Sequence, residues 1–196
     1  MPRGTWRRAR HPPEALRPSL VSVTIHHEHP FVTPPASRDA LRQFRGRLPA
    51  PVTVVATGDG PTRVGLTVSS LLIVPGETGQ LVLIVDPDSD LGSALALGQM
   101  LTVSVLGPND TYLAEAFAGL APAPGGLFRL GRWRQTSWGP VLEGSAWLAG
   151  TVSGLHPLGR ALEVTARVEG VDLTRTGVLV HQRGRYLTLD DRGRLH

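Results

Sequence analysis

Short apolar segments separated by glycine- and proline-containing turns cover most of the chain after residue 51. Residues 52–57 are rich in β-branched side chains and end at a Gly-Asp-Gly turn, which is typical of a hairpin. Residues 81–85 are an uninterrupted apolar run, as expected of a strand buried on both faces. The pattern predicts strands over residues 52–57, 63–72, 81–85, 101–106, 146–152, 162–168, 177–181 and 186–189.

Three helices are predicted between or before these strands. Ser37 can cap a first helix in which Leu41, Phe44 and Leu48 share a face. The others cover residues 91–97, after an Asp-Pro-Asp-Ser-Asp turn, and residues 111–118. Residues 119–140 are predicted to be a long ordered loop. Short strands with two or three helices favour a mainly-β barrel with peripheral helices.

The first 36 residues differ in composition from the rest. They contain seven prolines, which predict an extended, partly disordered arm with one short strand at residues 21–25, followed by a single domain over residues 37–196. Residues 1–19 hold five arginines and one acid, whereas residues 20–196 hold 15 of each. The neutral domain argues against nucleic acid as a partner. The alternative is a nucleic-acid-associated protein that contacts backbone phosphates through residues 1–19 alone.

Composition excludes several chemistries. The chain has no cysteine and no lysine, so disulfides, thiol nucleophiles, Schiff bases and the P-loop lysine are all excluded. His26, His27 and His29 lie in the proline-rich arm, and we predict no metal site there. The longest apolar runs are too short for a transmembrane helix and no secretory signal is apparent, so a cytoplasmic protein without a membrane partner is expected.

Six short motifs follow one another in a distinctive order. They are Pro-Val-Thr-Val-Val-Ala-Thr at residues 51–57, Gly-Leu-Thr-Val-Ser-Ser at 65–70, Val-Asp at 85–86, Phe-Ala-Gly at 117–119, Trp-Gly-Pro-Val-Leu-Glu-Gly at 138–144 and Arg-Gly-Arg-Tyr at 183–186. From residue 39 to 189 the series resembles the flavin reductase-like family of FMN-binding split barrels. The resemblance implies a split β-barrel, FMN as cofactor with FAD as the alternative, and a homodimer.

The resemblance also implies a function. It predicts an oxidoreductase in which NAD(P)H delivers hydride to the flavin, with a partner oxygenase where such a reductase belongs to a two-component monooxygenase. Thr67, Val68, Ser69 and Ser70 match the family segment that lines the isoalloxazine and ribityl chain. Hydroxyl and main-chain groups suit that role because a flavin offers both donors and acceptors. Phe117, Gly119 and Tyr186 are further cofactor contacts that the motifs imply.

The phosphate-binding segment departs from the family pattern. The stretch Asp-Pro-Asp-Ser-Asp-Leu at residues 86–91 stands where the family has a Ser-Ser-Arg-Thr clamp, and the match implies cofactor contacts at Asp86, Asp88, Ser89 and Leu91. Only Ser89 keeps the residue type of the family, and Asp90 stands where arginine is expected. Carboxylates repel a phosphate dianion. Three arginines could serve as another clamp: Arg63, Arg129 and Arg132. The alternative is a degenerate, non-enzymatic split barrel that acts as a flavin-binding, ligand-binding or interaction module.

The segment that the resemblance places near the nicotinamide also departs from the family pattern. A Gly-Asp-His motif of many members is replaced by Gly-Arg-Ala at residues 159–161, and His156 is the candidate catalytic residue that could substitute, or else a surface turn residue. Trp133 and Trp138 could cover a flavin face, close the barrel mouth or lie at a dimer seam.

Overall fold

The structure is a computed structural model that describes residues 40–174, 177–190, 192 and 194. The predicted extended arm, its strand at residues 21–25, the cap at Ser37 and the histidines at residues 26–29 lie outside the described residues.

Seven antiparallel strands form a curled sheet that makes up half of a barrel. In spatial order these strands are β3 (Val64–Val68), β2 (Thr53–Thr57), β6 (Met100–Val105), β9 (Trp147–Leu158), β10 (Ala161–Asp172), β5 (Gln80–Val85) and β4 (Leu71–Val74). Strands β3 and β4 are therefore the two edges of the sheet, although they are consecutive in the sequence.

Two small sheets and three helices complete the fold. One sheet contains β1 (Ala50–Pro51), β11 (Val178–Gln182) and β12 (Arg185–Leu189), and the other contains β7 (Trp133–Thr136) and β8 (Gly139–Leu142). The helices are α1 (Ala40–Arg47), α2 (Asp90–Ala94) and α3 (Thr111–Phe117). None of the helices in the described part of the chain is long and apolar enough to cross a membrane.

All five residues of β2 are buried because its two faces belong to different hydrophobic clusters. Val55 lies in a cluster that fills the curl of the sheet and includes Leu91 of α2. Val54 and Ala56 point to the other side, into a cluster that contains α3. Alternation along a strand places neighbouring residues on opposite faces, so β2 joins the two halves of the core.

The predicted single strand over residues 63–72 is wrong. The structure breaks it at Ser69 and Ser70, so that β3 pairs with β2 while β4 pairs with β5 at the opposite edge of the sheet. A connection this short requires the two edges to approach within about 10 Å, because an extended residue spans about 3.5 Å. The chain therefore closes the curl at these two serines, where the amide of Ile84 donates to the carbonyl of Ser70 (2.9 Å).

Other elements differ in length or burial from the prediction. Burial alternates along β5, with Val82 and Ile84 only half-buried, so the strand is not buried on both faces. Strands β9 and β10 each run for 12 residues, since they form one long hairpin whose mutual pairing extends beyond the core. Helix α2 ends at Ala94 instead of residue 97, and the predicted loop over residues 119–140 contains β7 and the start of β8.

The helix predicted over residues 111–118 is expected to turn Leu113, Ala116 and Phe117 inward, and the structure confirms this, because all three are buried. In α1, by contrast, the side chains of Leu41 and Phe44 are exposed.

Gly65 of β3 leaves room for the ring of Phe117. An added Cβ would lie 2.8 Å from Cε1 and 3.1 Å from Cδ1 of that buried ring. We expect Gly65→Ala to lower the free energy of unfolding by about 1–3 kcal/mol through overpacking, as measured by urea denaturation. The control is Gly46→Ala, because no atom lies within 4 Å of the added Cβ. An equal loss of stability in both variants would contradict this account.

Candidate functional site

An open cleft of about 570 Å³ lies at the start of β3. Its walls are the β2–β3 connection, the beginning of α2 at Asp90, and the segment 125–129. This volume lies within the range of roughly 300–1,000 Å³ that is usual for small-molecule sites. Segments far apart in sequence therefore meet at one cleft.

Two of the three candidate arginines, Arg63 and Arg129, line this cleft. The Nε of Arg63 donates to Oε1 of Gln135 (2.9 Å), and its guanidinium lies 6.0 Å from the ring centre of Phe128. Gln135 is held in turn because its Nε2 donates to the carbonyl of Gly58 (3.1 Å). Hydrogen bonding through Nε restrains the Arg63 side chain, and its two terminal nitrogens donate to no other residue that the structure describes.

The third arginine lies elsewhere. Arg132 pairs with Glu143, with 3.2 Å between Nε and Oε2, and both line a second, smaller cleft of about 230 Å³. An exposed pair of this kind adds little stability. The three arginines that the sequence singled out are therefore divided between two clefts.

An aromatic cluster supports the wall that carries Arg129. Phe117 of α3 contacts Phe128 and Trp133, with ring centres 5.2 and 5.4 Å apart, and Phe128 and Trp133 lie 5.1 Å apart. The indole of Trp133 donates to the carbonyl of Leu130 (2.7 Å). Phe117 is itself buried in the core, so its side chain supports the cleft and does not line it. Trp133 belongs to this packing.

The loop over residues 86–91 is held by hydrogen bonds within itself. Oδ1 of Asp86 accepts from the amide of Asp88 (3.0 Å), and Oγ of Ser89 donates to the carbonyl of Asp86 (2.6 Å). Oγ of Ser89 also accepts from the amide of Gly92 (3.0 Å), which makes Ser89 the N-cap of α2. The Leu91 side chain is fully buried in the core.

This loop does not suit a phosphate dianion. Asp88 and Asp90 are exposed, Asp86 is half-buried, and their carboxylates would repel the phosphate. The amides of Asp88 and Gly92 already donate within the loop, so these two are not available to an anion. The donors that a phosphate requires are found instead on the arginine-lined cleft.

In the segment over residues 67–70, the first two residues are bonded within the fold and the last two have hydroxyls that could bond a ligand. Oγ1 of Thr67 donates to the carbonyl of Ala114 in α3 (2.7 Å), and buried Val68 accepts from Thr53 Oγ1 through its carbonyl (2.6 Å). Ser69 and Ser70 are half-buried, and their hydroxyls donate to no other residue that the structure describes. These two side chains can therefore bond a ligand at the point where the barrel closes.

Residues 45–190 match the family model of the flavin reductase like domain, which is about three quarters of the chain. The chain belongs to the flavin reductase-like family. The resemblance seen in its motifs is therefore confirmed, and so is the mainly-β split barrel with two or three helices.

Named relatives and solved structures agree with this family. The chain is 32% identical over 128 residues to "FMN reductase (NADH) RutF" of Variovorax paradoxus, covering 64% of this chain and 70% of that protein. It is 28% identical to the 4-hydroxyphenylacetate 3-monooxygenase reductase component of Pseudomonas aeruginosa, covering 71% and 84%. Among solved structures, the NADH:FAD oxidoreductase SgcE6 of Streptomyces globisporus superposes with a TM-score of 0.68 at 25% identity, covering 79% of this chain and 94% of that one.

The remaining candidate residues of this flavin reductase-like protein do not line the cleft. Gly119 follows α3 with a φ of 73° and is exposed, and Tyr186 is half-buried on β12. His156 lies exposed on β9, opposite Glu163 of β10, and so belongs to a strand and not to a turn. Its catalytic role stays a prediction, as do the individual cofactor contacts.

Trp138 lies against the long hairpin. Its indole donates to Oε2 of Glu169 (3.0 Å), and its ring centre is 6.5 Å from that of Trp147. The hydrogen bond from Trp138, with a second from Arg167, lowers the pKa of the Glu169 carboxyl. Within residues 40–174 and 177–190, no group of three or more metal-binding side chains occurs.

Tyr186 is expected to hold its proton more tightly than an exposed tyrosine. Burial raises the pKa of its phenol, and the nearby Glu115 carboxylate adds to the rise. The chain has only two tyrosines, so a Tyr112→Phe background leaves Tyr186 as the sole phenol. In that background we expect Glu115→Gln to lower the pKa, as measured from phenolate absorbance.

The sign of the linked stability follows from the raised pKa. The unfolded chain loses the phenolic proton first, so this contribution to stability is complete below pH 10 and falls as the pH rises through the folded-state pKa. An unchanged titration curve after Glu115→Gln would show that the carboxylate has no influence on Tyr186.

Proposed function

We propose that this protein is an NADH-dependent flavin reductase that passes reduced flavin to a separate oxygenase. The observation that carries the proposal is the family match over residues 45–190, which covers the whole curled sheet. Relatives bearing the names of an NADH-dependent FMN reductase and of a monooxygenase reductase component support the electron donor and the partner. A location in the cytoplasm, where NADH is supplied, is part of the same proposal.

The chain would contribute binding, orientation and exclusion of water. A bound flavin supplies the redox chemistry by accepting hydride from the nicotinamide. Ser69 and Ser70 would hydrogen-bond to the polar edge of the isoalloxazine, because their hydroxyls donate to no other described residue and lie on a short, restrained connection. FMN is the proposed cofactor, with FAD as the alternative that the name of the Streptomyces globisporus enzyme supports.

The acidic loop over residues 86–91 favours a second candidate function. A split barrel without a working phosphate clamp could bind a ligand or a protein partner without turnover. The two candidates differ in one measurable property, which is flavin-dependent oxidation of NADH.

The first experiment follows NADH absorbance with FMN, with FAD and without flavin. The reductase proposal expects oxidation only when flavin is present, together with saturable quenching of tryptophan fluorescence by the preferred flavin. Saturable flavin binding without NADH or NADPH oxidation would favour the non-enzymatic module.

The serine pair can be tested by a double substitution. We expect Ser69→Ala with Ser70→Ala to weaken flavin binding about 5- to 150-fold, since two hydrogen bonds at roughly 0.5–1.5 kcal/mol each would be lost. Ser153→Ala serves as the control because Ser153 is exposed on β9. Unchanged flavin affinity in the double variant would remove these hydroxyls from the proposed site.

We also propose that the protein is a homodimer that associates through the edge strand β4. Leu72, Ile73 and Val74 of this strand are exposed (61%, 40% and 44%), and the neighbouring Val82 and Ile84 are only half-buried. An apolar edge strand offers unpaired backbone groups as well as apolar area to a second copy.

The dimer is tested by light scattering during gel filtration. We expect twice the mass of the 21.0 kDa chain, and Ile73→Glu should shift the population toward monomer because it would bury a charge. Leu97→Glu is the control, since Leu97 is 69% exposed and lies outside β4. A wild-type protein that elutes as a monomer would contradict the proposal.

A further inference from the structure

The cleft at the start of β3 carries two arginines and one carboxylate, so its wall has a net positive charge. Neither Arg63 nor Arg129 forms an ion pair with a residue in the part of the chain that the structure describes. Asp90 is the one described carboxylate on the cleft wall, and it also lacks such a pair. Two arginines on one cleft are a common arrangement for binding phosphate, because each guanidinium can donate two parallel hydrogen bonds.

Arg63 and Arg129 lie on different segments that share the aromatic cluster around Phe128 as a support. Arg63 is fixed through Gln135 and the ring of Phe128, and that ring is packed in turn against Phe117. Arg129 ends a 3-10 turn that follows Gly126, whose φ of 103° is strained for other residues. The cleft is thus formed before a ligand arrives, which reduces the entropy cost of binding.

We propose that Arg63 and Arg129 bind the phosphate of a nucleotide cofactor, in place of the acidic loop over residues 86–91. The identity of that nucleotide rests on the proposed function. A phosphate could be presented by FMN or by the pyrophosphate of a dinucleotide such as NADH, and both have the same chemistry at the guanidinium groups. The negative charge of Asp90 repels the phosphate and therefore weakens its binding to the two arginines.

The experiment compares ligands that differ in their phosphates. Dissociation constants of the full chain are measured by calorimetry for FMN, riboflavin and NADH, with wild type, Arg63→Gln and Arg129→Gln. Arg132→Gln is the matched control, because it removes the same charge from the other cleft. Each cleft variant is expected to weaken the phosphate-bearing ligand about tenfold, with riboflavin affinity unchanged.

The pattern of loss identifies the source of the phosphate. Weaker FMN binding with unchanged NADH binding assigns the cleft to the flavin phosphate, and the reverse assigns it to the dinucleotide. Unchanged affinity for both ligands in both cleft variants overturns the proposal. An equal loss in Arg132→Gln overturns it as well, since the effect would then come from net charge alone.

Asp90→Asn provides a test in the opposite direction. Removal of this carboxylate is expected to tighten binding of the same phosphate-bearing ligand several-fold and to leave riboflavin unaffected. A gain of affinity cannot result from a folding defect, so this variant keeps the test decisive if an arginine variant is unstable. No gain in affinity would show that Asp90 does not face the bound phosphate.

Failure of this inference is distinguishable from failure of the proposed function. A protein that oxidises NADH with flavin, yet binds both nucleotides independently of Arg63 and Arg129, retains the function and loses the clamp. A protein that binds FMN or NADH through these arginines without flavin-dependent NADH oxidation retains the clamp and loses the reductase activity.

Discussion

The short connection between β3 and β4 is the constraint on which the curled sheet depends. Only Ser69 and Ser70 separate strands that lie at opposite edges of a seven-stranded sheet, so the sheet has to curl until the end of β3 and the start of β4 lie close together, although the two strands do not pair. Its interior is then filled by apolar side chains from β5, β6 and β10, together with Leu91 of α2. A candidate ligand-binding segment thus lies at the closure itself, where the backbone has little freedom to move.

The two-faced burial of β2 links this closure to the cleft. One face packs in the curl of the sheet, and the other packs on α3, which Thr67 also anchors by a hydrogen bond to Ala114. Phe117 at the end of α3 supports the aromatic cluster that carries the cleft wall. Arg63 lies in the connection between β2 and β3, directly before β3. The same continuous core therefore positions both arginines.

The fold of this chain and the chemistry of one of its loops follow from different residues. The core of the curled sheet is apolar, whereas the loop over residues 86–91 is acidic and forms a turn held by its own hydrogen bonds. Asp86 and Ser89 still satisfy local amides and cap α2, because a carboxylate and a hydroxyl perform these tasks well. A loop can therefore keep its conformation while its ability to bind an anion changes.

The sequence by itself determined the family, the helix over residues 111–118 and most strands, because strand and helix periodicities and turn residues are local signals. It also singled out Arg63 and Arg129, but together with Arg132, from which no local pattern distinguishes them. Only the tertiary structure decided that Arg63 and Arg129 share a cleft, that the run over residues 63–72 divides between two sheet edges, and that Phe117 packs against Phe128 and Trp133. Each of these depends on contacts between segments distant in sequence, and the hydrophobic pattern of one segment does not specify its neighbour in space.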